Sequence, residues 1–104
     1  MFETIPYARS KQVPDRPDAP PVYFYGLSSC EHCKEGRDLL EEEQVPFEMV
    51  YLDTLDPEIR RPVLHEFRQR YGDRVPYPVL EIEGEFLFGF DRERWVQRIA
   101  PIAR

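Results

Sequence analysis

Cysteine is nearly absent. Two in 104 residues are too few for the disulfide framework of a small secreted scaffold. Basic residues are in deficit, with 14 Lys and Arg against 20 Asp and Glu and a formal net charge of −6. A chain of that sign lacks the electrostatic footprint of a nucleic-acid binder. No apolar run approaches the roughly 18 residues of a membrane span. The opening residues MFETIPYARS carry no apolar segment of the kind a secretory signal needs. The expectation is a soluble cytoplasmic domain with neither nucleic acid nor membrane as partner. Apolar residues at 41% and aromatics at 13% are enough for one small core, so the chain as a whole is not expected to be disordered.

Proline is unevenly spread. Five of the eleven, Pro6, Pro14, Pro17, Pro20 and Pro21, fall within residues 1–21. That stretch is polar, has no hydrophobic period and reads as an extended arm, with Phe2, Ile5 and Tyr7 as its apolar handles. Residues 22–104 read as the domain, and they hold the whole net charge.

From Val22 the punctuation is regular. Val22-Tyr23-Phe24-Tyr25 is a fully apolar run ending at Gly26, as suits a buried central strand. Ser28 and Ser29 are N-cap candidates for a helix over Cys30–Gln44, in which Gly36 invites the close approach of another element. Phe47–Leu52 reads as a second strand, expected to run parallel to the first. Asp56-Pro57 opens a second helix. Pro62 should kink it near Arg61, and Tyr71-Gly72-Asp73 should end it after about Gln69. Pro78–Ile82 and Glu85–Phe88, split by Glu83-Gly84, read as a hairpin. Asp91 caps a last helix, Arg92–Ala100, with Trp95, Val96 and Ile99 facing inward. The order is β-α-β-α-β-β-α, which four mixed strands flanked by helices would bury.

Both cysteines fall in one tetrapeptide, Cys30-Glu31-His32-Cys33, after a predicted strand and at the start of a predicted helix. A sulfur there meets unpaired backbone N–H groups and the positive end of the helix dipole, both of which favour thiolate. Cysteines so placed commonly titrate between about 3.5 and 7.5. Three residues on, Cys33 lies one turn away on the same face. Cys30 is the candidate nucleophile and Cys33 the thiol that resolves its mixed disulfide. A protonated His32 would add positive charge near Cys30, and Glu31 would oppose it. The simpler reading makes both solvated residues of an exposed first turn.

A zinc site needs four ligands, and Cys30, Cys33, His32 and distant His65 do not compose one within a single chain. No metal is assigned. An iron–sulfur or other metal carrier built from the same cysteines in a dimer, and a non-catalytic adaptor of the same fold, are the two alternatives to redox chemistry. His65 reads as a helix-surface residue, Glu41-Glu42-Glu43 as a solvated helix end and Trp95 as core. The arginine-rich stretches alternate with acids and suggest no basic patch.

These residues resemble the glutaredoxin-like branch of the thioredoxin superfamily. The resemblance rests on the strand VYFY, Ser29-Cys30-Glu31-His32-Cys33-Lys34, Tyr77-Pro78-Val79, Gly84 and Gly89-Phe90-Asp91. It covers residues 22–100. It implies a thioredoxin-like (glutaredoxin) fold and a thiol–disulfide oxidoreductase. It also implies a cis Tyr77–Pro78 bond facing the cysteines, with Tyr77, Pro78, Gly89, Phe90 and Asp91 binding substrate. Pro76 competes for the cis role but lacks the six-residue spacing to Gly84. The implied partners are protein or low-molecular-weight disulfides, with a reductase as electron donor and no prosthetic cofactor. Glutathione is the one small reductant the resemblance admits, with Asp91 and Arg74 as its contacts. The chain departs from the family's pattern at Gly26, Leu27 and Ser28, where a basic residue is usual, at Glu31 and His32, where an aromatic is usual, and at Phe88-Gly89, where two glycines are. Weak glutathione dependence, or none, is therefore the expectation. The simpler role of Asp91 is a helix cap.

Overall fold

The structure is a computed structural model that describes residues 10–11 and 18–103. Phe2, Ile5 and Tyr7, the handles of the arm, lie outside the described residues. The elements are β1 (Ser10–Lys11), β2 (Val22–Gly26), α1 (Glu31–Glu42), β3 (Glu48–Tyr51), α2 (Pro57–Tyr71), β4 (Val79–Ile82), β5 (Glu85–Phe88) and α3 (Arg92–Ile99), with a 3-10 turn over Leu52–Thr54.

The sheet order is β1-β3-β2-β4-β5. Strands β2 and β3 are parallel, with Phe24 opposite Met49. Strand β4 runs antiparallel to both β2 and β5. The four strands read from the sequence thus form the mixed sheet. The two-residue β1 adds to its edge, with Ser10 opposite Met49. Two residues leave no alternation to read, so this strand was not legible in the sequence.

Side chains that alternate along a strand point to opposite faces, and each face has its own core. Val22, Phe24, Met49, Leu80 and Ile82 pack with Leu39 and Leu40 of α1 and with Trp95 and Ile99 of α3. Tyr25, Val50 and Val79 pack with Leu52 and with Val63 and Phe67 of α2. Phe67 is the hub of the second core, edge-on to Tyr25, Phe86 and Phe88.

Several boundaries differ from expectation, each for a local reason. Helix α2 runs through Pro62 to Tyr71 as one element, with Asp56 at its N-cap and Pro57 at its first position. An exposed proline six residues in removes a single backbone donor, which the buried Val63 and Phe67 on its inner face outweigh. Gly72 ends it at φ 130°. Val96 is 39% exposed and does not face inward. The pair that does is Trp95 and Ile99, because positions four apart share a helix face, and Ile102, beyond the helix end, is buried in the same core. In the hairpin Glu83 and Gly84 both take positive φ, 51° and 82°, as a two-residue turn between twisted strands requires.

Candidate functional site

The loop from β2 delivers Cys30 to the head of α1. The helix cap is Cys30 itself, not Ser28 or Ser29. Its extended backbone leaves Sγ to accept the Cys33 N–H at 3.2 Å. The sulfur therefore occupies the place of the oxygen in an ordinary serine or aspartate cap. The Cys30 thiol also donates to the Tyr77 carbonyl at 3.9 Å. Cys30 is half-buried, whereas Cys33 is 3% exposed.

Cys33 sits deeper and is held as a thiol. Burial above all, then hydrogen bonding with Cys30, pushes it from 9.0 up to about 12. The charges of Cys30 and Asp53 act in the same direction. The Leu27 N–H donates to Cys33 Sγ at 3.5 Å and works the other way.

Tyr77–Pro78 is a cis peptide bond, and it brings the Tyr77 carbonyl to the sulfur of Cys30. Burial holds the Tyr77 hydroxyl above its usual value, partly offset by Arg68. The Pro78 carbonyl accepts the Gly89 N–H at 2.8 Å, and the Gly89 carbonyl accepts Trp95 Nε1–H at 3.0 Å. Gly89 has φ 81° and faces the Pro76 ring, the tight turn at which a side chain would be strained. Phe90 packs edge-on to Trp95 at 5.0 Å. Asp91 accepts the Arg94 N–H at 3.2 Å, so it caps α3. Gly36 is a close-approach glycine: a Cβ there would stand 3.0 Å from the Trp95 ring and 3.2 Å from Pro78 Cγ. Tyr77 thus meets Cys30, Pro78 is joined to Tyr77 by the cis bond, Gly89 is tied to the Pro78 carbonyl and Phe90 packs on Trp95.

His32 lies on the exposed first turn of α1. Its side chain is 71% exposed, with Nδ1 3.8 Å from Glu35 Oε2. Glu31 is likewise exposed. His65 is exposed on α2.

Two depressions meet at Leu27. One of about 240 Å³ includes Cys30, Cys33, Lys34, Arg37 and Tyr51, with Arg37 Nη1 donating to the Tyr51 hydroxyl at 3.0 Å. The other, about 420 Å³, lies beside Tyr77 and gathers Arg60, Arg68 and Arg74 with Asp53 and Asp73. Arginines that alternate with acids along the chain therefore do converge in space, because α2 and the loop after it present them to one groove. Sequence reasoning also missed Asp53, whose partner Ser28 is 25 residues away and leaves no local signal.

A strand, a helix capped by a cysteine sulfur and a cis proline facing its first turn are the arrangement of the thioredoxin-like fold, and the chain falls in that superfamily. A glutaredoxin family model matches residues 22–87, more than half of the chain, and the chain belongs to the glutaredoxin family. Among solved structures it is similar to a glutaredoxin from Archaeoglobus fulgidus, with 31% identity, a TM-score of 0.68 and coverage of 77% of this chain and 86% of that one. A glutaredoxin from Methanosarcina mazei Go1 is 26% identical, with a TM-score of 0.71 and coverage of 88% and 87%. A methanoredoxin from Methanosarcina acetivorans is 28% identical, with a TM-score of 0.65 and coverage of 75% and 82%. No curated protein sequence matches the chain.

Proposed function

We propose that the chain is a thiol–disulfide oxidoreductase of the reducing cytoplasm, acting on protein or low-molecular-weight disulfides. The observation that carries this reading is the contrast between the two sulfurs. Cys30 is half-exposed and accepts the N–H of Cys33. Cys33 is buried and held as a thiol.

The Cys30 thiolate attacks one sulfur of a substrate disulfide. A Cys30–substrate disulfide forms, and the other substrate sulfur leaves as a thiolate. Cys33 then loses its proton to solvent and attacks Cys30, forming the Cys30–Cys33 disulfide and releasing the second substrate thiol. Two electrons pass from the protein to the substrate, and a dithiol donor restores the reduced pair. Tyr77 and Pro78 border the reacting sulfur and suit an extended chain pairing in strand fashion. The arginine-bearing groove next to Tyr77 favours substrates with an anionic group close to the disulfide, a class that includes glutathione adducts as well as acidic peptides. The donor is either glutathione or a protein reductase, and no prosthetic group enters these steps.

Cys30→Ser is expected to abolish reduction of insulin disulfides. Cys33→Ser is expected to accumulate the mixed disulfide at Cys30, visible as an added mass. Full activity in Cys30→Ser would sink the reading. For the metal-carrier alternative, no three His, Cys, Asp or Glu side chains gather at metal-ligating distance among the described residues, so within these residues Cys30 and Cys33 have no third ligand beside them.

A further inference from the structure

The loop that carries Cys30 is anchored by the turn that follows the neighbouring parallel strand β3. Asp53, in the 3-10 turn after β3, accepts the Ser28 N–H with Oδ1 at 3.0 Å. Its Oδ2 accepts the Ser28 hydroxyl. The turn that holds Asp53 is itself braced by Thr54 Oγ1, which donates to the Tyr51 carbonyl at 2.7 Å. One residue before Ser28, the Leu27 N–H points at Cys33 Sγ. The two peptide planes meet at a single α-carbon, so fixing the Ser28 amide restricts where the Leu27 amide can point.

We propose that Asp53 is a positioning residue for the resolving step: by clamping both donors of Ser28, its N–H and its hydroxyl, it holds the Leu27 N–H on Cys33 Sγ, where negative charge must develop before Cys33 can attack. This rests on the reading that Cys33 resolves a mixed disulfide at Cys30. The carboxylate's two effects on Cys33 oppose each other. As an anchor it keeps in place a donor that favours the thiolate, and as an anion it disfavours the thiolate. The proposal is that anchoring prevails, and the opposition makes it testable. A charged acceptor bound by two donors of one residue also suits the anchoring role, because hydrogen bonds to charged groups are the stronger ones.

The test uses the full reduced chain and Ellman's reagent, an aromatic disulfide. Cys30 attacks it, releasing one thionitrobenzoate and retaining the other as a mixed disulfide. Cys33 then attacks Cys30, closes the protein disulfide and expels the second thionitrobenzoate. The first release depends on reagent concentration, and the second does not. Cys33→Ser should show only the first. Asp53→Ala is expected to slow the second release by about tenfold, the scale of one lost hydrogen bond, while the first becomes no slower and is even faster, because the groove that Asp53 also lines loses a negative charge facing this anionic reagent. Asp53→Asn retains an acceptor for the Ser28 N–H and should recover most of the rate. A second release in Asp53→Ala as fast as wild type or faster would overturn the proposal, since the carboxylate would then act through charge alone. Equal slowing of both releases would overturn it too, as general damage to the loop. A single release in the wild type would instead remove Cys33 from the resolving role and with it the underlying reading.

Discussion

At the scale of single residues, two cysteines three positions apart come to differ because one caps a helix and the other lies beneath it. Cys33 is protonated in the fold over a wider range than in the unfolded chain, with its value pushed from 9.0 to about 12. A group whose folded value is raised stabilises the fold while protonated, and that contribution is lost as it ionises. The reduced protein is therefore expected to keep this contribution below about pH 9 and to lose it as pH rises toward about 12. Comparing denaturation midpoints of wild type and Cys33→Ser across that window isolates the effect, and parallel curves would count against it. The motif and its order of exposure were legible in the sequence, because spacing and helix position determine both. The identity of the cap was not. Ser28 and Ser29 have the usual chemistry for it, but Ser28 is bound to Asp53 instead, and the chain enters the helix one residue later.

At the scale of elements, α1 and α3 approach across Gly36. Gly36→Ala would gain up to about 1 kcal/mol of helix propensity. Against this, its methyl group would press on the ring of Trp95, which is buried and tied to the Gly89 carbonyl. Overpacking of this kind costs roughly 1–3 kcal/mol. A net loss of about 1 kcal/mol is expected, together with slower disulfide reduction because Pro78 shares the contact. A denaturation midpoint at or above wild type would show that the ring yields. That Gly36 meets another element was readable from a lone glycine within a helical pattern. Which element it meets was not, since Trp95 and Pro78 lie far along the chain. The hairpin and the last helix were equally readable from Glu83-Gly84 and Asp91. Val96 was misplaced because one apolar residue beside a true stripe looks the same in sequence as a member of it.

At the scale of the whole molecule, net charge and local charge part company. The chain carries −6, yet the groove beside Tyr77 collects three guanidinium groups against two carboxylates. Disulfide peptides flanked by Glu are expected to react several-fold faster than those flanked by Lys at low salt. The difference should shrink as salt screens the groove, over a Debye length of about 10 Å at 0.1 M. Arg74→Glu should narrow or invert the preference. Equal rates for both peptides would mean that the groove plays no part in selection. Composition alone hides this arrangement, because acids on the remaining surface mask a small cluster of opposite sign.

The chain has one indole, and it is Trp95, lodged between Phe24, Phe90 and Gly36 with its nitrogen on the Gly89 carbonyl. Indole emission from this molecule thus originates in the same core that holds Cys33, giving the protein an unlabelled optical gauge of events at its own centre.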